Sequence, residues 1–459
     1  MTEDMYGEEE IRKILNAATR HGGDYADLYL SKSYTGTVSA EEKTIRRFYR
    51  GFDEGAGIRV MKGDFSAYFY TSDLSFSSLM AMAERAGESV NGDGAASPFA
   101  WSDRQVIGED HDVYDLEKTG EIIRRVNDEA WRISDKIVQV SISYGDGRKE
   151  VLMASTEGKL IRQHLCRKRF FVRVVAAEHN ELQTAIETLG DTEEVFGWNE
   201  ETLNAKVMAA AERALRQLTA KEAPSGTMPV VMSSEAGGTM VHEACGHGLE
   251  GDSVSKGLSV YKEKQGQQVA SEKITVIDDA TLAGHYGSYP YDDEGNAGRR
   301  NILIENGVLK QYMYDVRSAR RMGCSSTGNG RRESYRFAPQ VRMSNTFIAP
   351  GNDDPAAVIA DLKKGFFVRK MGGGQVNTIS GDFVFEVSEG YLIENGKLTV
   401  PVKNASLIGN GPKALSSVFA VGNDLGFAIG TCGKGGQSVP VGDAQPTIGI
   451  SELVVGGKG

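Results

Sequence analysis

A stretch broken by two prolines and a glycine, Lys221-Glu-Ala-Pro-Ser-Gly-Thr-Met-Pro229, divides this 459-residue chain into two unlike halves. Prolines and a glycine this close together break the preceding pattern and mark a boundary. The break predicts two domains, residues 1–223 and 224–459.

Before the break, helical and strand-like spacing alternate. "EEEIRKILNAATRHGG" reads as an amphipathic helix stopped near Gly22. Four alternating runs follow, at residues 25–33, 44–51, 55–63 and 65–73, and helical spacing returns at 74–90. The order then repeats: a helix over 114–134, strands over 137–145, 150–158 and 161–178, and a helix over 199–223. Helix, meander, helix occurs twice, as in a duplicated unit. After the break strands dominate, and most of the 55 glycines fall there. Asn306-Gly307 and Asn395-Gly396 supply the positive φ angles of type I′ hairpin turns. The fold class expected is α+β. An N-terminal domain of helices and antiparallel sheet precedes a mostly antiparallel, barrel-like β domain.

Composition narrows the function. The formal net charge is −11, and nucleic acid demands a basic domain or stripe. The small basic clusters at 45–50 and 166–171 read as solvated strand faces, so direct nucleic-acid binding is not expected. No run approaches the roughly 18 apolar residues of a membrane helix. The acidic start, "MTEDMYGEEEIRKIL", has no apolar signal-peptide core, which points to the cytoplasm. Four cysteines, Cys166, Cys245, Cys324 and Cys432, make no disulfide framework. No phosphate-binding G-x-x-x-x-G-K-[ST] loop is present.

The chemistry concentrates in His242-Glu-Ala-Cys-Gly-His247. "MPVVMS" reads as a strand, Ser233 or Ser234 as a helix N-cap, and a helix is expected through about Leu249. Zinc peptidases place two histidines at i and i+4 around a glutamate base. Here one residue more intervenes, and in a regular helix positions i and i+5 lie about 140° apart. A π-bulge, or relaxation at Gly237, Gly238 and Gly246, would bring both imidazoles to one ion. The third ligand is open among Cys245, Cys432, Glu250, Asp252 and His285. Cys432 lies in a glycine-rich stretch, "GTCGKGGQSVPVGD", read as a loop. Glu250 and Asp252 are expected to orient a ligand histidine.

Five segments, "HGGDYADLYLSKS", "HEACGHGLEGD", "DDEGNAGRRNILIENGVLKQYMYD", "STGNGRRESYR" and "TCGKGGQSVPVG", together resemble the TldD/PmbA family, also called modulators of DNA gyrase. The resemblance spans essentially the whole chain. It implies a metallopeptidase whose Zn2+ ligands are His242, His247 and Cys432, with Glu243 as catalytic acid/base and Cys245 at a variable position. Residues 242–247 fit the metal-bearing TldD branch, not the metal-free PmbA/TldE branch. It also implies an enclosed site for unfolded or flexible peptides, and a homodimer or a heterodimer with a metal-free paralogue. Residues 372–387 are a candidate edge for an extended peptide. The rival function is a non-catalytic peptide-binding scaffold or regulator with a structural metal.

Overall fold

The computed structural model describes residues 6–90, 98–108, 115–193 and 198–457. Its first half carries the repeated order. Helix α1 (Glu8–Thr19) leads to β1 (Tyr25–Glu41), β2 (Thr44–Lys62), β3 (Phe65–Thr71) and α2 (Phe76–Glu88). Strand β4 (Asp103–Ile107) intervenes. Then come α3 (Leu116–Arg132), β5 (Ile137–Ser155), β6 (Lys159–Glu178), β7 (Glu181–Asp191) and α4 (Glu200–Leu218).

The two units do not form separate sheets. β1 pairs antiparallel with β5, giving one sheet in the order β3-β2-β1-β5-β6, with β4 and β7 both on β6. Ile11, Ile14 and Leu15 of α1 and Leu79, Met82 and Ala83 of α2 are buried in one core against this sheet. Ile123 and Val126 of α3 and Leu203, Val207 and Ala210 of α4 fill a second. The amphipathic spacing is therefore spent on two helix pairs, one per unit.

Two pairs of expected strands are each one long strand. Runs 44–51 and 55–63 merge into β2, and runs 137–145 and 150–158 into β5. Their interior glycines resemble turn signals, yet the β1–β2 ladder runs through Gly55 and Gly57. Gly55 serves a close approach instead: a Cβ there would collide with the ring of Tyr335 from the second half.

In the second half, strands Lys364–Val376, Gly226–Met232, Ile448–Gly456, Ala405–Asn410 and Asp382–Glu394 pair in turn, and the last pairs back to the first, closing a five-strand barrel. A second sheet runs from Val308–Leu309 through Arg300–Glu305, Val276–Asp279, Asn345–Ile348 and Gln437–Gln445 to Gly426–Lys434. Pairing is mostly antiparallel. The contacts of Gly226–Met232 with Lys364–Val376 and of Asn345–Ile348 with Gln437–Gln445 are parallel. Both Asn-Gly turns form as expected, with positive φ at Asn306, Gly307, Asn395 and Gly396. The segment that carries His242 and His247 fills the barrel's core: Val241, Ala244, Cys245 and Leu249 are buried with Phe366, Phe385, Leu407 and Ile450.

Candidate metal centre

The segment is not one continuous helix. After Ser233 a 3-10 turn covers Ser234–Ala236, and Gly237 breaks it with a φ of 74°. Ser233 makes no side-chain cap; its hydroxyl donates to Arg369 O at 3.0 Å. Helix resumes over Thr239–Val241, widens to a π turn over His242–Gly246 and tightens to a 3-10 turn over His247–Leu249. The amide of His247 donates to the carbonyl of His242, five residues back. That register places both rings on one side, with centroids 4.9 Å apart and planes 87° to each other. The widened turn expected from the spacing is present.

The glycines act differently from expectation. Gly246 has ordinary helical angles (φ −52°, ψ −59°), and a Cβ on it would strike Met343 Sδ. A Cβ on Gly238 would collide with Ala444 N, next to Asp443. These glycines press the segment against the second sheet more than they relax it.

Cys432 reaches the rings from that sheet. It lies on a strand, Gly426–Lys434, not in a loop; the glycines after it form the tight turn to Gln437–Gln445. Cys432 Sγ is 3.4 Å from His247 Nε2, and the ligand atoms of His242, His247 and Cys432 all lie within 4.8 Å of one another. Two imidazoles and a thiolate suit zinc, and three protein donors leave a tetrahedral position for water.

Each ring is held from behind. His242 Nδ1 meets Asp443 Oδ1 at 2.7 Å, and His247 Nδ1 meets Glu250 Oε2 at 3.1 Å. The Nε2 atoms are thereby directed to the cluster. Lys434 Nζ contacts Glu250 Oε2 at 2.9 Å and Asp252 Oδ1 at 2.7 Å. Burial opposes ionisation of Glu250, but Lys434 and His247 outweigh it and hold its carboxyl down at about 2. Burial likewise pushes the Cys432 thiol up, yet hydrogen bonds and charge from both histidines bring it to about 5. The same contacts raise the two imidazoles, His247 to about 9, so the thiolate is favoured as their charge partner. Glu243 is half-buried. Burial raises its carboxyl, partly offset by His242 and His247.

The remaining candidates separate. Cys245 faces the core: its thiol donates to Val241 O at 3.3 Å, and burial pushes it up to about 12. His285 stands apart, its Nδ1 3.1 Å from Ala283 O and its ring on Phe427 at 4.3 Å. Asp252 reaches a histidine only through Lys434 and Glu250. Sequence reasoning missed Asp443 and Lys434, although both lie in the same quoted stretch as Cys432. Residues 372–387 divide: Gly374–Val376 pair on one side only, with 383–385, whereas Phe383–Phe385 and Val387 pair on both. No described helix is long and apolar enough to cross a membrane.

Comparison with known proteins places the chain in a family. Sequence profiles match residues 26–90 (PmbA/TldA metallopeptidase domain 1), 108–218 (central domain) and 225–457 (C-terminal domain). The chain is 36% identical to the metalloprotease TldD homolog of Haemophilus influenzae over 474 residues, covering 100% of this chain and 98% of that protein. It is 36% identical to the Buchnera aphidicola (Acyrthosiphon pisum) protein of the same name over 448 residues, covering 95% and 93%. The crystal structure of TldE from Thermococcus kodakarensis superposes with a TM-score of 0.75 over 98% of this chain and 99% of that one. At 17% identity that likeness concerns the fold alone.

Proposed function

The chain belongs to the PmbA/TldD metallopeptidase family, and on that premise we propose that it is a zinc-dependent peptidase with His242, His247 and Cys432 as ligands and Glu243 as acid/base. The observation that carries this reading is the convergence of those three ligand atoms within 4.8 Å, with Glu243 on the same turn. When bound there, zinc supplies Lewis acidity to the scissile carbonyl and lowers the pKa of its water toward 7. The chain's own residues do the rest. Asp443 and Glu250 hold the two rings in one tautomer and orientation. Glu243 takes the proton of the attacking water and returns it to the leaving amine; its raised carboxyl suits both transfers. An extended peptide would add to the open side of Gly374–Val376. Unfolded or flexible peptides are the substrate class, and the cytoplasm is the compartment. A homodimer or a pairing with a metal-free paralogue is the assembly, which sedimentation of the purified chain would distinguish.

Elemental analysis of the purified protein should find one zinc per chain. Glu243→Gln should keep that zinc and lower peptide cleavage by about 10²–10⁴-fold. Cys432→Ser should lose zinc. The rival reading, a scaffold with a structural metal, requires a closed shell, whereas Cys245 and Asp252 are both turned to other partners. Full zinc with unchanged cleavage in Glu243→Gln would remove Glu243 from the mechanism.

A further inference from the structure

A cavity of about 140 Å³ lies between the two halves of the chain, beside Ser438 and Pro440. Val439, between them, is the strand partner of Cys432 and points into the barrel core. Lys149 of β5, Arg167 of β6 and Arg331 of the second half line this cavity. Their partners are neutral. Arg167 donates to Tyr286 O at 3.1 Å and Ser288 O at 2.9 Å. Arg331 donates to Met343 O at 2.6 Å and lies 4.9 Å from the Tyr289 ring. Lys149 donates to Glu333 O at 3.3 Å and lies 5.3 Å from the Tyr29 ring. Among the described residues, none of the three cations has a carboxylate within ion-pair distance.

The acids nearby are already engaged. Asp292 accepts the amides of Glu294, Asn296 and Gly330. Asp293 accepts the Tyr29 hydroxyl and the Arg332 amide. Glu333, at the exposed rim, accepts the Ser438 amide at 2.6 Å. Burial and the neighbouring Arg331 bring Arg167 down to about 10, partly offset by Tyr286 and Asp293. Asp293 on the same wall favours the charged forms of Lys149 and Arg167 from a distance without pairing with either. Cations held in a cavity with no direct partner are costly, and a guanidinium fork matches a planar or tetrahedral oxyanion.

We propose that this cavity binds an oxyanion, a carboxylate or phosphate group, held by Lys149, Arg167 and Arg331 between the N-terminal sheet and the metal-bearing half. The group comes either from a peptide carboxylate or from free phosphate. Inorganic phosphate is the probe, with chloride at matched ionic strength as control, on the full zinc-loaded chain. Calorimetry should show saturable phosphate binding, and thermal unfolding a Tm that rises with phosphate and not with chloride. Lys149→Gln should weaken binding at least tenfold. Ser438→Asp places a carboxylate at the mouth from an exposed position, so it tests the site without disturbing the interior, and should abolish binding. Phosphate acting no differently from chloride, or acting equally on Ser438→Asp, would overturn the proposal. This binding arm does not depend on the peptidase reading. A second arm does: phosphate raising the KM of a peptide with a free C-terminus, but not of its amide, assigns the site to a peptide carboxylate. An unchanged KM assigns it to free phosphate.

Discussion

Asp443 shows how a single residue sets which nitrogen a histidine presents. An imidazole can offer either nitrogen, and the partner of one decides the role of the other. With Asp443 2.7 Å from Nδ1 of His242 and Glu250 3.1 Å from Nδ1 of His247, both rings present Nε2. Removing such partners typically costs 10–100-fold in metal affinity. Asp443→Ala and Glu250→Gln should each weaken zinc binding by that factor, read by competition with a chromogenic chelator, while Glu243→Gln leaves affinity unchanged. The sequence pattern already contained His242, Glu243 and His247. It did not reveal Asp443, because an aspartate eleven residues after Cys432 gains meaning only when a hairpin turns it back toward the same helix.

At the scale of elements, the π turn and the two strands of the Cys432 hairpin depend on each other. The turn gives i and i+5 a common side, and the hairpin brings the thiol and Asp443 to that side. Gly238 is where the elements touch. A Cβ there meets the backbone of Ala444, which cannot rotate away as a side chain can. Gly238→Ala should therefore lower stability by about 1–3 kcal/mol, the usual cost of overpacking, and should also reduce zinc content. A thermal melt with metal analysis checks both; an unchanged Tm would show that the segment can lift off the sheet. The widened turn was legible from the spacing. The strand around Cys432 was not, because a run rich in glycine carries little strand propensity and is held by its pairing with Gln437–Gln445.

Across the whole molecule, ion pairs fasten the N-terminal sheet to the second half. Arg213 of α4 binds Glu187 of β7 at 2.6 Å and Glu389 of the barrel at 2.9 Å, and Arg216 adds a contact to Glu389 at 3.1 Å. Burial pushes both carboxyls up, but Lys370 and Arg213 around Glu187, and Tyr391 with the arginines around Glu389, outweigh it and hold them below the ordinary range. A depressed folded pKa adds stability above the unfolded value of about 4.3, and that stability is lost as pH falls through the folded value. Denaturant melts should show a constant contribution from this clasp at neutral pH and a decline below about pH 4. Arg213→Met should cost about 1–3 kcal/mol at pH 7, because each buried carboxylate loses one hydrogen-bonded partner while Lys370 beside Glu187 and Arg216 beside Glu389 remain, and the cost should shrink as the pH is lowered. A cost independent of pH would assign Arg213 to packing alone.

Local pattern was enough for the α+β class, the repeated helix-meander-helix order, both Asn-Gly hairpins and the histidine pair with its glutamate. Each depends on neighbours a few residues apart, where periodicity, turn chemistry and spacing act directly. Tertiary structure alone decided that the two N-terminal units share one sheet, that Gly55 receives Tyr335, that Cys245 faces the core and that Asp443, Glu250 and Lys434 stand behind the two imidazoles. These outcomes depend on contacts between residues far apart in the chain, whose energies exist only once the sheet and barrel have brought them together.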